Sequence, residues 1–392
     1  MRVLVLAFFH GLGHVVRATR VAEELRRGGA EVLVATAAAA THIPAARGLE
    51  TAALRELPPI PAGAPPASPG ARLRLADADY LRDCVADERE LIRSFRPDFV
   101  LVDFRVTGAV SAALEGVHSG WIVNTGFFAH PFPEVLSDVV PQLIANGVEP
   151  AAARRILGDH VCIPDWSALD PLSSITDESS RAALWSVDEI RHVGPVLKSA
   201  PSSLPDQRAA RASLDVPDDR PLVVVSLGGT AQGFDALRRL TPRLREIDAT
   251  TAVVTGPNID PSSLDTAGVD RVLAYTEEAM LWTRAADLVV THGGHTSTME
   301  AICVGTPLLA IPGHAEQRWN AARAVERGVG EAIDPESIES DAVPTIQRLL
   351  ADPAVAARAR QLAEQLAEYD GARELADHIR QVVTLGHRAT GG

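Results

Sequence analysis

The chain alternates between short, wholly apolar runs and longer segments in which apolar residues return every three or four positions. Val3 to Phe8 is a continuous apolar run, the pattern of a parallel strand buried on both faces. Val15 to Arg27 then places Val15, Ala18, Val21, Ala22 and Leu25 on one helical face, interleaves Arg17, Arg20, Glu24 and Arg27, and stops at Gly28-Gly29. Val32 to Thr36, Phe99 to Val102 and Trp121 to Val123 predict further strands, separated by helical segments such as Tyr80 to Ser94. Leu222 to Leu227, Ala252 to Thr255, Arg271 to Ala274, Leu288 to Thr291 and Leu308 to Pro312 predict five more. Such alternation predicts an α/β chain built on doubly wound parallel sheets. No repeat of solenoid length is visible.

Two Pro-rich stretches punctuate this pattern. Pro58 to Ala71 carries prolines at 58, 59, 61, 65, 66 and 69 and predicts a surface loop, either a lid or partner-binding segment or a tolerated insertion. Gly194 to Pro221, polar and with four prolines before its last residue, predicts a domain boundary, because strand–helix alternation resumes directly after it. A length of 392 residues fits two or three domains.

Composition narrows the function classes. Charged residues at 22% and hydrophobic residues at 46% are those of a globular protein. The net charge of −14 repels phosphate backbones and anionic lipid, and 9 Phe, 5 Trp and 3 Tyr leave few rings for stacking on bases, so nucleic acid and membrane are not expected partners. Cys84, Cys162 and Cys303 are widely spaced, without a CxxC pair, which suits a reducing compartment and predicts a cytoplasmic protein. The first apolar stretch is too short for a signal peptide, and no other run reaches the ~20 residues of a membrane helix.

Ligands of open α/β sheets gather at the carboxyl ends of the strands. There the sequence sets His10-Gly-Leu-Gly13-His14, Asp103, Gly228-Gly229-Thr230, the run from His292 to Glu300, and Gly313-His-Ala-Glu316-Gln317. Glycines at 293 and 294 permit close backbone approach, and Thr296-Ser297-Thr298 opens a helix whose first amides attract anions. The segment has no Lys or Arg, so His292 would donate a hydrogen bond or carry charge. The competing reading is that Ser297 and Glu300 form only a capping box. His292, His295 and His314 lack metal-ligand spacing, and Asp77-Ala-Asp79 is read as a helix start rather than a metal motif. Gly11 and Gly13 supply two of the three glycines of a dinucleotide fingerprint and Val16 stands at the third, which speaks against an NAD enzyme.

The string from Leu288 to Gly330, LVVTHGGHTSTMEAICVGTPLLAIPGHAEQRWNAARAVERGVG, resembles the donor-binding segment of family 1 glycosyltransferases, including those of bacterial natural-product pathways. The resemblance implies a GT-B fold, two Rossmann-like doubly wound domains facing across a cleft. The division it implies is 1–205 for the acceptor domain, 206–375 for the donor domain, and 376–392 as a helix crossing back to the first. It also implies that His292 and Ser297 bind a diphosphate, that Gly294, His295 and Thr296 lie in the same cradle, that Glu300 binds the ribose, and that Glu316 and Gln317 hold the sugar. Gly228, Gly229 and Thr230 match the loop approaching the diphosphate from the other side, and Tyr275-Thr276 stands where many relatives stack a Trp on the base.

In the first domain Gly13-His14 resembles the acceptor loop, with His14 as general base and Asp103 as its orienting partner. An imidazole held by a carboxylate suits removal of a hydroxyl proton at neutral pH. The plainer readings are a helix-start contact for His14 and a helix-capping carboxylate for Asp103; Arg17, three residues on and on the same helical face, either touches an anionic group or is a solvated side chain, the second reading being preferred. Trp121, Phe127, Phe128 and Phe132 form an aromatic group that lines an acceptor pocket or packs a core.

The expected function is inverting, metal-independent transfer of a hexose from a UDP- or dTDP-sugar to a small-molecule hydroxyl, with no cofactor beyond the nucleotide-sugar co-substrate. The protein would act as a monomer or homodimer. The alternatives are a nucleotide-sugar 2-epimerase of the same fold and a nucleotide-sugar-binding protein without transfer activity. A lipid-linked cell-wall subgroup is related by resemblance, and the acidic charge and missing basic amphipathic stretch disfavour it.

Overall fold

Seven strands form the first sheet: β1 Arg2–Ala7, β2 Glu31–Ala37, β3 Glu50–Leu54, β4 Phe99–Asp103, β5 Ser119–Ile122, β6 His160–Ile163 and β7 Glu189–His192. All neighbours pair in parallel, in the order β3-β2-β1-β4-β5-β6-β7. In this computed structural model the description covers residues 1–9, 12–57, 74–228, 231–256 and 258–390, without the side chains of 231, 232 and 387–390. His10, Gly11, Gly229, Thr230 and the Pro-rich loop 58–71 lie outside the described residues.

β1 is apolar from Val3 to Ala7 and β4 from Phe99 to Val102, because both faces are covered there. Helix α1, Leu12–Arg27, buries Val15, Ala18, Val21, Ala22 and Leu25 on one face of the sheet. Helix α2, Ala78–Phe95, starts where the Asp77 carboxylate accepts the Tyr80 amide at 2.8 Å, so Asp77 is a helix cap. The last helix, Gly371–Thr390, belongs to this same unit and adds Ala372, Leu375, Ala376, Ile379 and Val383 to the core that α1 builds. The other face holds the aromatic group: Trp121, Phe127, Phe128 and Phe132 are all buried among Leu4, Leu6, Val100 and Val102. Of the two readings of these four rings, core packing is what the structure shows.

The second unit, Leu197–Tyr369, carries β8 Leu222–Ser226, β9 Thr250–Val254, β10 Arg271–Leu273, β11 Leu288–Thr291, β12 Leu308–Ala310 and β13 Gly330–Ala332. These are again wholly parallel, in the order β10-β9-β8-β11-β12-β13. Met1–Val196 and Asp370–Gly392 make up the first unit. The divisions fall nine and six residues before the expected 205/206 and 375/376, because the short helix at Pro201–Ser203 goes with the second unit and the last helix starts at Gly371. Among the described residues no helix is long and apolar enough to cross a membrane.

Candidate active site

β1 and β4 are paired, with Ala7 opposite Asp103, so the chain leaving β1 passes beside the end of β4. Gly13 and His14 occupy the first turn of α1. His14 Nδ1 lies 2.7 Å from Asp103 Oδ1. Asp103 is fully buried, while the imidazole remains partly open to solvent. The two residues join across 89 positions of sequence, as the resemblance implied.

Arg17 differs from its expected solvated state. It is only 4% exposed, and its Nε donates to Asp103 Oδ2 at 2.8 Å while Nη2 donates to Oδ1 at 2.7 Å. Its spacing, three residues after His14 on the same helical face, pointed to the other reading, contact with an anionic group, and that is the one the structure shows. Burial pushes the Asp103 carboxyl up, but the Arg17 guanidinium and His14 outweigh it and hold the group below the ordinary carboxylate range. Asp103 is therefore an anion at neutral pH. With the proton on Nδ1 donated to that anion, Nε2 carries the lone pair.

The turn after Asp103 is strained, with Phe104 at φ 55°. It is held from behind. Arg105 Nε donates to the buried Glu88 of α2 at 2.6 Å, and Thr107 and Ser111 hydroxyls donate to the same carboxylate at 2.7 Å each. Phe104 thereby presents its ring to the imidazole of His14, 5.1 Å between centroids and 30° between planes, and Phe8 meets that imidazole edge-on at 6.5 Å. Sequence reading did not single out Phe104, since only the left-handed turn brings it toward His14.

In the second unit the cradle forms between β11 and helix α3, His295–Val304. The helix is capped by Gly294 with no side-chain cap, and Ser297 lies inside the first turn. The capping-box alternative is thus excluded for Ser297 and Glu300. Ser297 instead donates to the Gly294 carbonyl at 3.1 Å and shares a 2.8 Å contact with the Thr291 hydroxyl, which locks the turn to the strand end. Thr296 is half-buried in the same turn. A helix start without a side-chain cap leaves backbone amides to meet an anion.

His292 fills the space under this turn. A Cβ at Gly294 would lie 2.4 Å from His292 Nε2, and one at Gly228, whose φ is 77°, 3.4 Å from Cε1, so both positions suit glycine. Nδ1 of His292 is buried and has no hydrogen-bond partner among the described residues. Burial and the neighbouring His314 lower its pKa to about 4, against the opposing pull of Glu316 and the Ser226 carbonyl. Burial thus favours the neutral form of His292, which leaves the ring a single N–H. Glu300, half-buried on α3, is raised to about 7 by burial, with Lys198 drawing it down. Lys198 was not singled out from sequence because it lies in the Pro-rich boundary stretch; its Nζ donates to the Glu277 carbonyl at 2.7 Å and to Oε2 at 2.5 Å.

Helix α4, Ala315–Glu326, also begins without a side-chain cap, at His314, and carries Glu316 and Gln317 in its first turn. Gln317 Oε1 accepts the Gly313 amide at 2.7 Å, and Asn320 Nδ2 donates to the Gly293 carbonyl at 3.1 Å, tying this loop and the 292–294 loop to one helix. Tyr275 is 41% exposed at the end of β10, with its hydroxyl donating to Glu277 Oε1 at 2.7 Å, and Thr276 Oγ1 accepts the Glu278 amide at 3.0 Å.

Residues 223–375 match the model of the glycosyltransferase family 28 C-terminal domain. Among curated relatives, an uncharacterised glycosyltransferase of Methanopyrus kandleri is 28% identical over 260 residues, 65% of this chain and 68% of the relative. Among solved structures, the calicheamicin glycosyltransferase superposes with a TM-score of 0.70 at 19% identity, covering 97% of this chain and 98% of that one. A glycosyltransferase of Streptomyces sp. SF2575, solved with thymidine diphosphate, superposes with a TM-score of 0.68 at 20% identity, covering 97% and 99%. Two parallel α/β sheets, an uncapped helix at a glycine loop and these likenesses lead to one conclusion: the chain is a glycosyltransferase of the GT-B type.

Proposed function

We propose that this glycosyltransferase moves a hexose, with inversion and without a metal, from a UDP- or dTDP-sugar to the hydroxyl of a small-molecule acceptor. The observation that carries the reading is the His14–Asp103–Arg17 arrangement, a buried anion fixed by a bidentate arginine and holding an imidazole at 2.7 Å. His14 Nε2 takes the acceptor proton, the hydroxyl oxygen bonds to the anomeric carbon, and the bond from that carbon to the diphosphate oxygen breaks with its electron pair going to the leaving group. His292, the amides at the start of α3 and the helix dipole receive the developing charge. Glu300 accepts from the ribose hydroxyls, and Glu316 and Gln317 orient the sugar. The thymidine diphosphate in the Streptomyces structure supports this class of donor. Three free, buried cysteines suit a cytoplasmic enzyme.

The test is thermal unfolding with saturating UDP, dTDP, GDP or NAD, with and without EDTA, on the wild type and His292→Ala. A nucleotide at about 100 times its Kd adds about 2.7 kcal/mol. The expected result is a rise with UDP or dTDP that EDTA leaves unchanged and His292→Ala diminishes. No rise with any diphosphate removes the donor site. Conversion of a nucleotide sugar to its epimer without acceptor replaces transfer with isomerisation.

A further inference from the structure

Away from the strand ends that carry His14 and Asp103, three potential metal ligands meet at the opposite end of the same sheet. His160 is the first residue of β6, Glu189 the first of β7, and His378 lies on the last helix, α5, Gly371–Thr390. One nitrogen of each histidine and one oxygen of the glutamate all lie within 4.8 Å of one another, the one such group among the described residues. His292, His295 and His314 form no such group there.

Both histidines are buried, His160 8% exposed and His378 3%. His160 Nδ1 and His378 Nε2 are buried without a hydrogen-bond partner. Each approaches Glu189 Oε2, at 3.8 Å and 3.9 Å. Those separations are too long for an N–H···O hydrogen bond. They are close to the spacing of two ligands on one ion, since bonds of about 2.0–2.1 Å in a tetrahedron put ligand atoms about 3.3 Å apart. The rings stand nearly perpendicular, 76° at 5.2 Å, so neither stacks across the space between the nitrogens. Glu189 is held from its other side: Arg191 Nε donates to Oε1 at 3.0 Å and leaves Oε2 facing the histidines. Arg191 reduces the negative charge available to a cation, and Asp188 supplies some in return at His160.

We propose that His160, Glu189 and His378 bind one first-row divalent cation, zinc by the two-imidazole, one-carboxylate donor set, with solvent in the fourth position. The ion joins the last helix to two strands of mid-chain sequence and satisfies two nitrogens that otherwise remain buried without partners. Its role is structural and separate from glycosyl transfer. The site does not depend on the proposed transfer chemistry, because the three residues sit at the amino ends of their strands, or on the last helix, rather than at the end that carries Asp103.

The test uses the full chain without a polyhistidine tag. The metal content of the purified protein is measured, the ion is stripped with a chelator, and zinc is titrated back by calorimetry; cobalt in place of zinc reports coordination through its visible d–d bands. The expected result is one equivalent of zinc, a four-coordinate cobalt spectrum and a higher unfolding midpoint. His378→Ala and Glu189→Gln lose the cobalt spectrum and weaken zinc binding at least about tenfold, while His314→Ala leaves both intact. Glu189→Gln keeps both imidazoles and guards against a variant that fails to fold, which circular dichroism checks. Zinc binding and a cobalt spectrum unchanged in folded Glu189→Gln and His378→Ala protein place the ion elsewhere and overturn the proposal. Failure of the folded wild type to bind micromolar zinc overturns it equally.

Discussion

At the scale of single residues, Arg17 and Asp103 form the most consequential pair, because neither belongs in a core without the other. Removing one partner of a buried ion pair costs about 3–5 kcal/mol, since the remaining charge is left uncompensated. Arg17→Gln is therefore expected to lower unfolding free energy by about 3 kcal/mol in urea denaturation, and adding Asp103→Asn to it is expected to recover part of that loss. Asp103→Asn alone, which keeps the shape but alters what His14 Nδ1 meets, is expected to lower turnover by about 10²–10⁴-fold with nucleotide binding intact. Because Asp103 is held below its unfolded pKa, its contribution to stability is present above about pH 4 and is lost as pH falls below that. Glu300 behaves oppositely: raised to about 7, it favours the folded state at low pH, and that contribution is lost as pH rises from about 4.5 to 7. On the proposed reading the 3′-hydroxyl of the nucleotide donates to the ionised form, so dTDP affinity is expected to fall as pH drops below about 7, by up to about tenfold per unit. Glu300→Gln is expected to remove that part of the dependence, which titration calorimetry at several pH values reads directly.

At the scale of elements, the long periodic segments and the edge strand β10 were legible, and the edge strands β3, β7 and β13 were not. α1, α2, β1, β4 and β11 follow from uninterrupted apolar runs or a clear helical face. β3 (ETAAL), β7 (EIRH) and β13 (GEA) carry few β-formers and sit at or next to sheet edges, where tertiary pairing overrides weak local preference. The site shows the same division. His14 with Asp103 and the 292–300 turn stand at strand ends that the pattern locates, whereas Arg17 required knowing that α1 lies against the end of β4. Gly294 tests the turn as an element, since its replacement must move His292 rather than the helix. An N-cap change from glycine to alanine costs at most about 1 kcal/mol, and the Cβ would meet only the tip of a movable imidazole. Gly294→Ala is thus expected to leave the unfolding midpoint within a few degrees of wild type while weakening dTDP binding at least about tenfold. Equal affinity in the variant would mean that the position of His292 does not govern diphosphate binding.

At the scale of the whole molecule, charge decides which acceptors can be met. Thirty-seven basic against fifty-one acidic side chains give a net −14, and the cationic groups are largely engaged by carboxylates, as in Arg93 with Glu115 and Arg348 with Glu331. Docking to an anionic bilayer draws on free Lys and Arg near the surface, each contributing about 1 kcal/mol. An acidic chain instead meets a repulsive potential that reaches about 30 Å at 0.01 M salt and about 8 Å at physiological ionic strength. The full chain is therefore expected to stay in the supernatant when sedimented with phosphatidylglycerol vesicles at low salt, with or without dTDP. Low salt is the informative condition, because any basic patch hidden in the overall charge would act most strongly there. Cosedimentation that falls as salt rises would identify such a patch and shift the acceptor from a small soluble molecule to a membrane-borne one, with the His14–Asp103–Arg17 chemistry unchanged.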